Sequence, residues 1–552
     1  MSDPADSFNV ARHLRAAARA TPGACAVRVP CGRDASGETL YRSRSFAELD
    51  RDTDACAAWL ESQGVRPGMR VLLMVRPGLD LILCTFALFK LGAPPVAIDP
   101  GMGLKSFLKC VQTTAPDALV GIPLAHAVAA VFRHRFRTAR VRAVVGTGGF
   151  RRRLEKAAGG LPEGGRPVYP AKPDELAAIL FTSGSTGAPK GVRYEHGMFE
   201  AQLGLVRAAY GIETGEIDLP MLPVFALFNP ALGMTTVTPD MNPSKPASVN
   251  PENIVRAIRG NGVTNSFGSP ALWAKIARHC LARGETLPSV RRVLCAGAPV
   301  PVALHRDLKK ILPNGVVHTP YGATECLPVC TITGDEVLAE TWREAQSGLG
   351  TCVGRPLPGV RVAIIPIRDE AVADLSDCPP YGAPGPVGEI IVQSPSCTRE
   401  YDRRPDATAL AKIGDGAGFW HRMGDLGRLD ERGRVWFYGR KAERVRTAGG
   451  ELYTESVEGV FNAHPRVFRT ALIGLGEAGA QEPALVVEPL PGEFPSGAAA
   501  REAFIASLRE LGARHEHTGR IQKFFFEKRF PVDVRHNAKI HRLTLKKKYD
   551  AR

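Results

Sequence analysis

Apolar and polar positions in residues 46–100 switch between two periods. Phe46-Ala47-Glu48-Leu49-Asp50 opens a helical pattern that ends near Gly64. Arg70-Val71-Leu72-Leu73-Met74-Val75 is an apolar run of strand length, and Leu79 to Leu91 is again helical. Gly92-Ala93-Pro94-Pro95-Val96-Ala97-Ile98-Asp99-Pro100 closes the unit. Such alternation predicts βα crossovers and a parallel sheet, an α/β fold. The rhythm returns at Val263-Thr264-Asn265-Ser266-Phe267 and at Val293-Leu294-Cys295-Ala296-Gly297. After Pro356 it changes. Val360 to Ile367 and Gly388 to Gln393 are short strands between Gly/Pro turns, which predicts a small antiparallel β-barrel. Polar Gly439-Arg440-Lys441-Ala442-Glu443-Arg444 follows the strand Val435-Trp436-Phe437-Tyr438 and marks a boundary between residues 1–439 and 440–552. Beyond it, helices over Glu455–Ala463 and Ala499–Leu511 alternate with strands over Thr470–Leu475, Ala484–Val487 and Phe524–Glu527. They predict an α+β module large enough to fold alone.

Composition narrows the class. The 552 residues exceed one ordinary core and correspond to roughly three to four domain-sized units. The most apolar stretch, Leu79 to Ile98, is interrupted by Asp80, Lys90 and two prolines, so it reads as a buried helix and strand, not a membrane span. Met1-Ser2-Asp3-Pro4-Ala5-Asp6 has neither the basic nor the apolar region of a secretory signal, which predicts a cytoplasmic protein. The twelve cysteines lack paired spacing, and Cys326 and Cys330 have no His/Cys cluster beside them. Reduced thiols are expected in preference to zinc ligands or disulfides. The net charge of +15 concentrates at Arg133 to Arg142, Arg151-Arg152-Arg153 and Lys546-Lys547-Lys548. A solvated basic surface accounts for this, with a docking face for an anionic partner or lipid headgroups as the alternative; peripheral membrane contact stays open. No nucleic-acid motif accompanies the charge.

The chemistry concentrates in Leu180-Phe181-Thr182-Ser183-Gly184-Ser185-Thr186-Gly187-Ala188-Pro189-Lys190-Gly191. The apolar start reads as the end of a buried strand. The loop after it offers glycine amides and hydroxyls with nothing bulky, so it can wrap an oxyanion while Lys190 supplies a point charge. It is not a P-loop, because Gly191 stands where the magnesium-binding hydroxyl belongs. Four further segments follow: Cys295-Ala296-Gly297-Ala298-Pro299, Pro320-Tyr321-Gly322-Ala323-Thr324-Glu325, Trp420-His421-Arg422-Met423-Gly424-Asp425 and Arg535-His536-Asn537-Ala538-Lys539-Ile540-His541-Arg542. Taken singly, the first is a strand end and turn, the second a helix start capped by Thr324, the third a turn, and the last a basic tail.

Together, and in this order, they resemble the adenylate-forming superfamily of acyl-CoA ligases, luciferases and nonribosomal adenylation domains, over essentially the whole chain. The resemblance implies a large N-terminal domain of stacked sheets with flanking helices and a small barrel, and a small mobile C-terminal lid. It implies ATP and Mg²⁺. Thr182, Ser183, Gly184, Ser185, Thr186, Gly187 and Lys190 would hold the β- and γ-phosphates, and Gly297, Ala298 and Pro299 would lie flat on adenine. Tyr321 would stack on adenine beside Gly322, Thr324 would bond the α-phosphate, and Glu325 would ligate Mg²⁺. Asp425 would accept the ribose hydroxyls, Arg440 would reach ribose or phosphate, and Lys539 would bridge carboxylate and α-phosphate as charge develops. Met423 stands where the family commonly has threonine, and Ala538 where it has glycine.

Other departures select a branch. The family hinge is commonly Asp or Lys, and here it is Ala442; no carrier domain is expected after it. Leu222-Pro223-Val224-Phe225-Ala226-Leu227-Phe228-Asn229 places small Ala226 where many ligases have an aromatic or histidine gate. Phe225, Ala226, Leu227, Phe228 and Met234 would form an apolar acid pocket, with ordinary core packing as the alternative. Tyr-Gly-Ala-Thr-Glu-Cys-Leu-Pro together with His-Asn-Ala-Lys-Ile-His-Arg resembles the β-lactone synthetases of bacterial long-chain olefin biosynthesis. That branch implies a long-chain 2-alkyl-3-hydroxy acid substrate, and an assembly with a β-lactone decarboxylase and a reductase. A long-chain acyl-CoA or acyl-AMP ligase is the alternative.

Overall fold

The computed structural model describes residues 7–182, 189–242, 246–416, 418–532 and 539–550. The helix Phe46–Ser62 starts at a reciprocal cap: Ser45 Oγ accepts from Glu48 N at 3.2 Å and Ser45 N donates to Glu48 Oε2 at 2.8 Å. The next helix, Leu79–Leu91, is apolar around nearly its whole circumference and correspondingly buried. It stops at Gly92, whose φ of +67° favours glycine and where a Cβ would meet the Tyr169 ring at 2.5 Å. Its one lysine, Lys90, is buried but satisfied, with Nζ 2.6 Å from both Asp50 Oδ1 and Asp54 Oδ1.

These helices cover a six-stranded sheet in the order Val141–Val144, Ala118–Gly121, Val71–Met74, Pro95–Ala97, Leu176–Thr182, Lys190–Glu195. All its neighbours are parallel except the last pair, which is antiparallel. Separate apolar clusters, around Phe86 and Leu60 on one side and Phe107 and Leu119 on the other, bury both faces.

A second, fourteen-stranded sheet has a parallel centre: Cys25–Arg33, Thr235–Val237, Ile217–Pro220, Asn265–Gly268, Arg292–Cys295 and Val316–Ala323. The strands after Pro356 are antiparallel, as their turns predict. Arg361–Ile365, Gly388–Gln393, Gly418–Leu429, Val435–Arg440 and Thr351–Pro356 pair in succession and join the large sheet through Cys326–Thr333. Thr324 caps no helix: Thr324 and Glu325 form the turn of the hairpin Val316–Ala323/Cys326–Thr333. The reduced-thiol expectation also needs correction. Cys326 is joined to Cys397, 71 residues away, with Cα atoms 4.3 Å apart.

The C-terminal segment has its own three-stranded sheet. Glu482–Pro489 lies between antiparallel Val467–Leu475 and parallel Lys523–Phe526, with apolar clusters on both faces. It touches the large sheet through Glu455 Oε2, 2.8 Å from Thr351 Oγ1, and Ser456 Oγ, 2.5 Å from the Gly348 carbonyl.

Candidate active site

The carboxyl ends of parallel strands converge where an α/β sheet offers backbone to a ligand. Leu176–Thr182, the strand that precedes the Gly/Ser loop in sequence, ends there. Thr182 ends that strand opposite Lys190; Ser183, Gly184, Ser185, Thr186 and Gly187 lie outside the described residues. Arg292–Cys295 delivers Gly297, Ala298 and Pro299, and Gly297 adopts φ +99°. Val316–Ala323 delivers Tyr321 and Gly322. A Cβ on Gly322 would come within 2.8 Å of the Cys326 carbonyl, so the hairpin turn requires glycine.

Two clusters stand at this edge. In the first, Asp425 and Arg440 are register partners across an antiparallel ladder, with Arg440 Nη1 2.8 Å from Asp425 Oδ1. The Tyr321 hydroxyl donates to Asp425 Oδ2 at 2.7 Å. Burial pushes the Asp425 carboxyl up against the opposing pull of Arg440, Tyr321 and Lys539. Burial also pushes the Tyr321 phenol up, helped by the carboxylate beside it. Asp425 Oδ1 is buried and meets the Arg440 guanidinium as an ion pair, with no hydrogen bond accepted. A buried carboxylate oxygen with unspent acceptor capacity is what a pair of ligand hydroxyls would use.

The second cluster surrounds Glu325. Its Oε1 accepts from the Tyr401 hydroxyl at 2.8 Å, and its carbonyl accepts from Thr398 N at 2.8 Å. No hydrogen bond reaches Oε2 among the described residues. The Tyr194 hydroxyl donates to the Thr324 carbonyl. Lys190 Nζ sits 4.8 Å from the Tyr401 ring centroid, a cation–π contact that ties the loop's lysine to Glu325 through one aromatic side chain. Arg440 feels the charges of both Asp425 and Glu325, so the two clusters adjoin.

Lys539 reaches the first cluster from the C-terminal segment. It is exposed, and its charge acts on Asp425. Its neighbours fix the chain there. Ile540 bridges to Val532, and Arg542 is held between Glu443 at 2.8 Å and Glu458 at 2.7 Å. Tyr321, Asp425, Arg440 and Lys539 are therefore brought together, as are Thr324, Glu325 and Lys190.

The apolar set is divided. Pro223–Leu227 is a short 3-10 turn in which Ala226 is buried. Phe225 stacks on Phe267 with centroids 3.6 Å apart, at the end of strand Asn265–Gly268, and Phe228 follows at 6.4 Å. Met234 lies in the N-terminal core, against which Leu227 and Phe228 also pack, so for these three core packing is the better description.

Sequence reasoning did not single out Tyr401 or Lys412. Tyr401 lies in polar Thr398-Arg399-Glu400-Tyr401, and Lys412 is one lysine beside an apolar run; neither has a periodic signal. Burial pushes the Lys412 ammonium down to about 7.

Residues 14–402 match the family described as AMP-binding enzyme. The chain is 45% identical over 545 residues to an olefin beta-lactone synthetase of Xanthomonas campestris pv. campestris, covering 97% of this chain and 96% of that protein. It is 46% identical to the olefin beta-lactone synthetase of Stenotrophomonas maltophilia, again over 97% and 96%. Among solved structures, the amide bond synthetase McbA from Marinactinospora thermotolerans superposes with a TM-score of 0.77 at 23% identity, covering 98% of this chain and 99% of that one. The chain belongs to the AMP-binding enzymes, the adenylate-forming superfamily of AMP-forming ligases.

Proposed function

We propose that this ligase uses ATP to activate the carboxylate of a long-chain 2-alkyl-3-hydroxy acid and closes it to a β-lactone. The observation that carries the reading is the buried Asp425 carboxylate. It is gripped by Tyr321 and Arg440, keeps Oδ1 unspent, and lies in a chain so similar to two olefin beta-lactone synthetases.

In the first step a carboxylate oxygen bonds to the α-phosphorus, and pyrophosphate leaves. Asp425 takes the ribose hydroxyls, Tyr321 and Gly297 to Pro299 flank the adenine, and Arg440 steadies ribose or phosphate. Thr182 to Gly187 and Lys190 hold the outer phosphates. Thr324 bonds the α-phosphate, and Lys539 offsets charge on carboxylate and phosphate as it builds. Glu325 offers Oε2 as a hard oxygen for Mg²⁺, which neutralises phosphate charge when bound. No cluster of three His, Cys, Asp or Glu side chains is placed to cage a metal among the described residues, so one carboxylate plus phosphate and water oxygens is the fitting donor set.

In the second step the substrate's own 3-hydroxyl oxygen bonds to the acyl carbon, the bond to AMP breaks, and the hydroxyl proton is released. Holding nucleophile and acyl phosphate in one molecule supplies the orientation advantage against four-ring strain. Phe225, with Phe267 behind it, faces the alkyl chains. In this reading residues 440–552 act as the lid that brings in Lys539. The lactone passes to a decarboxylase of the α/β-hydrolase type, in an assembly with a reductase. No helix among the described residues is long and apolar enough to cross a membrane.

Mass spectrometry of products from a synthetic 2-alkyl-3-hydroxy acid, ATP and Mg²⁺ tests the reading. AMP, pyrophosphate and a product lighter than the acid by one water are expected without coenzyme A. The 3-deoxy analogue stops at bound adenylate. A coenzyme A thioester with no lactone would overturn the reading in favour of an acyl-CoA ligase.

A further inference from the structure

Lys412 is an unusual buried amine. Its Nζ donates to the Thr398 carbonyl and contacts His421 Nδ1 at 3.0 Å, with the Phe419 ring centroid 5.1 Å away. It forms no ion pair among the described residues, although the charge of Glu325 acts on it. His421 is its register partner across the hairpin Lys412–Asp415/Gly418–Leu429. Burial keeps that imidazole neutral, so Nδ1 is available to accept. An ammonium removed from water without a carboxylate in contact costs stability, and sites that tolerate such a cost are disproportionately functional.

The partner of Lys412 points to its role. Thr398 belongs to the segment 394–402, which holds Glu325 at two points: Thr398 N on its carbonyl and the Tyr401 hydroxyl on Oε1, both at 2.8 Å. Cys397, in the same segment, is joined to Cys326, the residue after Glu325. The other side of the segment is tied to the strand after the phosphate loop, by a bridge between Tyr401 and Val192 and by Asp402 N on the Gly191 carbonyl at 2.7 Å. The hydrogen bond from Lys412 to the Thr398 carbonyl therefore anchors the piece of chain that orients the Glu325 carboxylate.

We propose that Lys412 is a positioning residue, fastening segment 394–402 so that Glu325 is held in register with the strand Lys190–Glu195. The inference rests on the proposed role of Glu325. It concerns no side chain that touches substrate.

A double-mutant cycle on AMP release, with Lys412→Met, Glu325→Gln and the pair, tests it. Lys412→Met should lower kcat at least tenfold with KM for the acid within twofold. Calorimetry should show Mg·ATP binding weakened at least fivefold, while AMP without metal binds within twofold. In the Glu325→Gln background Lys412→Met should add less than twofold, because both changes act on one carboxylate. Lys412→Gln, which keeps a donor for Thr398, should lose less than Lys412→Met. If Lys412→Met fails to fold by circular dichroism, Lys412→Gln is read in the same cycle. A kcat within twofold of wild type, or a full loss carried into the Glu325→Gln background, would overturn the proposal. A Glu325→Gln enzyme with unchanged turnover would instead remove the assigned role of Glu325.

Discussion

At the scale of single residues, the site divides between groups that cannot be touched without disturbing the fold and one that can. Asp425 is buried beside Arg440, and removing it would leave a guanidinium without its counter-charge. Lys539 is different. It is exposed, and the anchoring of its segment falls to Arg542, three residues on, between two carboxylates. Lys539→Ala should therefore lower the rate of adenylation by roughly 10²–10³, the effect of removing one donor aimed at developing charge. The melting temperature should stay within about 1 °C, as expected for an exposed site. Pyrophosphate release and a thermal melt check both parts; near-wild-type turnover would show that another cation does this work.

At the scale of elements, strand Ile217–Pro220 carries a buried acid, Asp218, whose Oδ2 accepts from Asn229 Nδ2 at 2.8 Å. Burial pushes the Asp218 carboxyl up to about 7, with Asn229 opposing. The folded state thus binds this proton more tightly than the unfolded chain, where the ordinary value is 3.8. The favourable contribution is complete below about pH 4, falls by up to about 1.4 kcal/mol per pH unit as the pH rises towards 7, and is lost above it. Asp218→Asn keeps an acceptor for Asn229 and does not titrate. It should be more stable than wild type at pH 8 and indistinguishable near pH 4 in parallel denaturant titrations. Equal midpoint differences at both pH values would contradict this. Helix Leu79–Leu91 and the strands around it are readable because local periodicity and Gly/Pro stops agree with the tertiary fold. The Thr324–Glu325 turn is less so: a Thr-Glu pair also suits a helix start, and only pairing of the flanking strands decides. The Cys326–Cys397 link and the grip of Tyr401 on Glu325 span more than seventy residues, a separation no local pattern encodes. Thus the segments proposed to bear the site carry local motifs, while the long-range contacts that hold Glu325 do not.

At the scale of the whole molecule, the two sides of Ala442 are tied to residues of the large N-terminal part. Lys441 Nζ lies 3.0 Å from buried Glu389 and donates to the Arg368 carbonyl at 2.8 Å. Beyond Ala442, Arg444 donates to both oxygens of Asp369 at 3.0 Å, and Arg446 approaches at 3.4 Å. Burial pushes the Asp369 carboxyl up, but the hydrogen bond from Arg444 and the charges of Arg444, Lys441 and Arg446 together outweigh it and hold the carboxyl below the usual range. Because the Asp369 side chain is 55% exposed, the whole latch is worth only about 1 kcal/mol. Under the proposed lid role of residues 440–552, that is enough to shift the balance between two orientations roughly fivefold. Asp369→Ala should therefore lower kcat for AMP formation two- to fivefold, leave KM for the acid unchanged, and speed proteolytic cleavage within residues 440–450. Since exposed pairs are screened by salt, raising ionic strength should bring the wild-type rate towards that of the variant. Stopped-flow pyrophosphate release at low and high salt decides the matter. A variant that matches wild type at both would show that the orientation presenting Lys539 to Asp425 is held by Thr351, Gly348 and their partners on the helix Thr454–Phe461 instead.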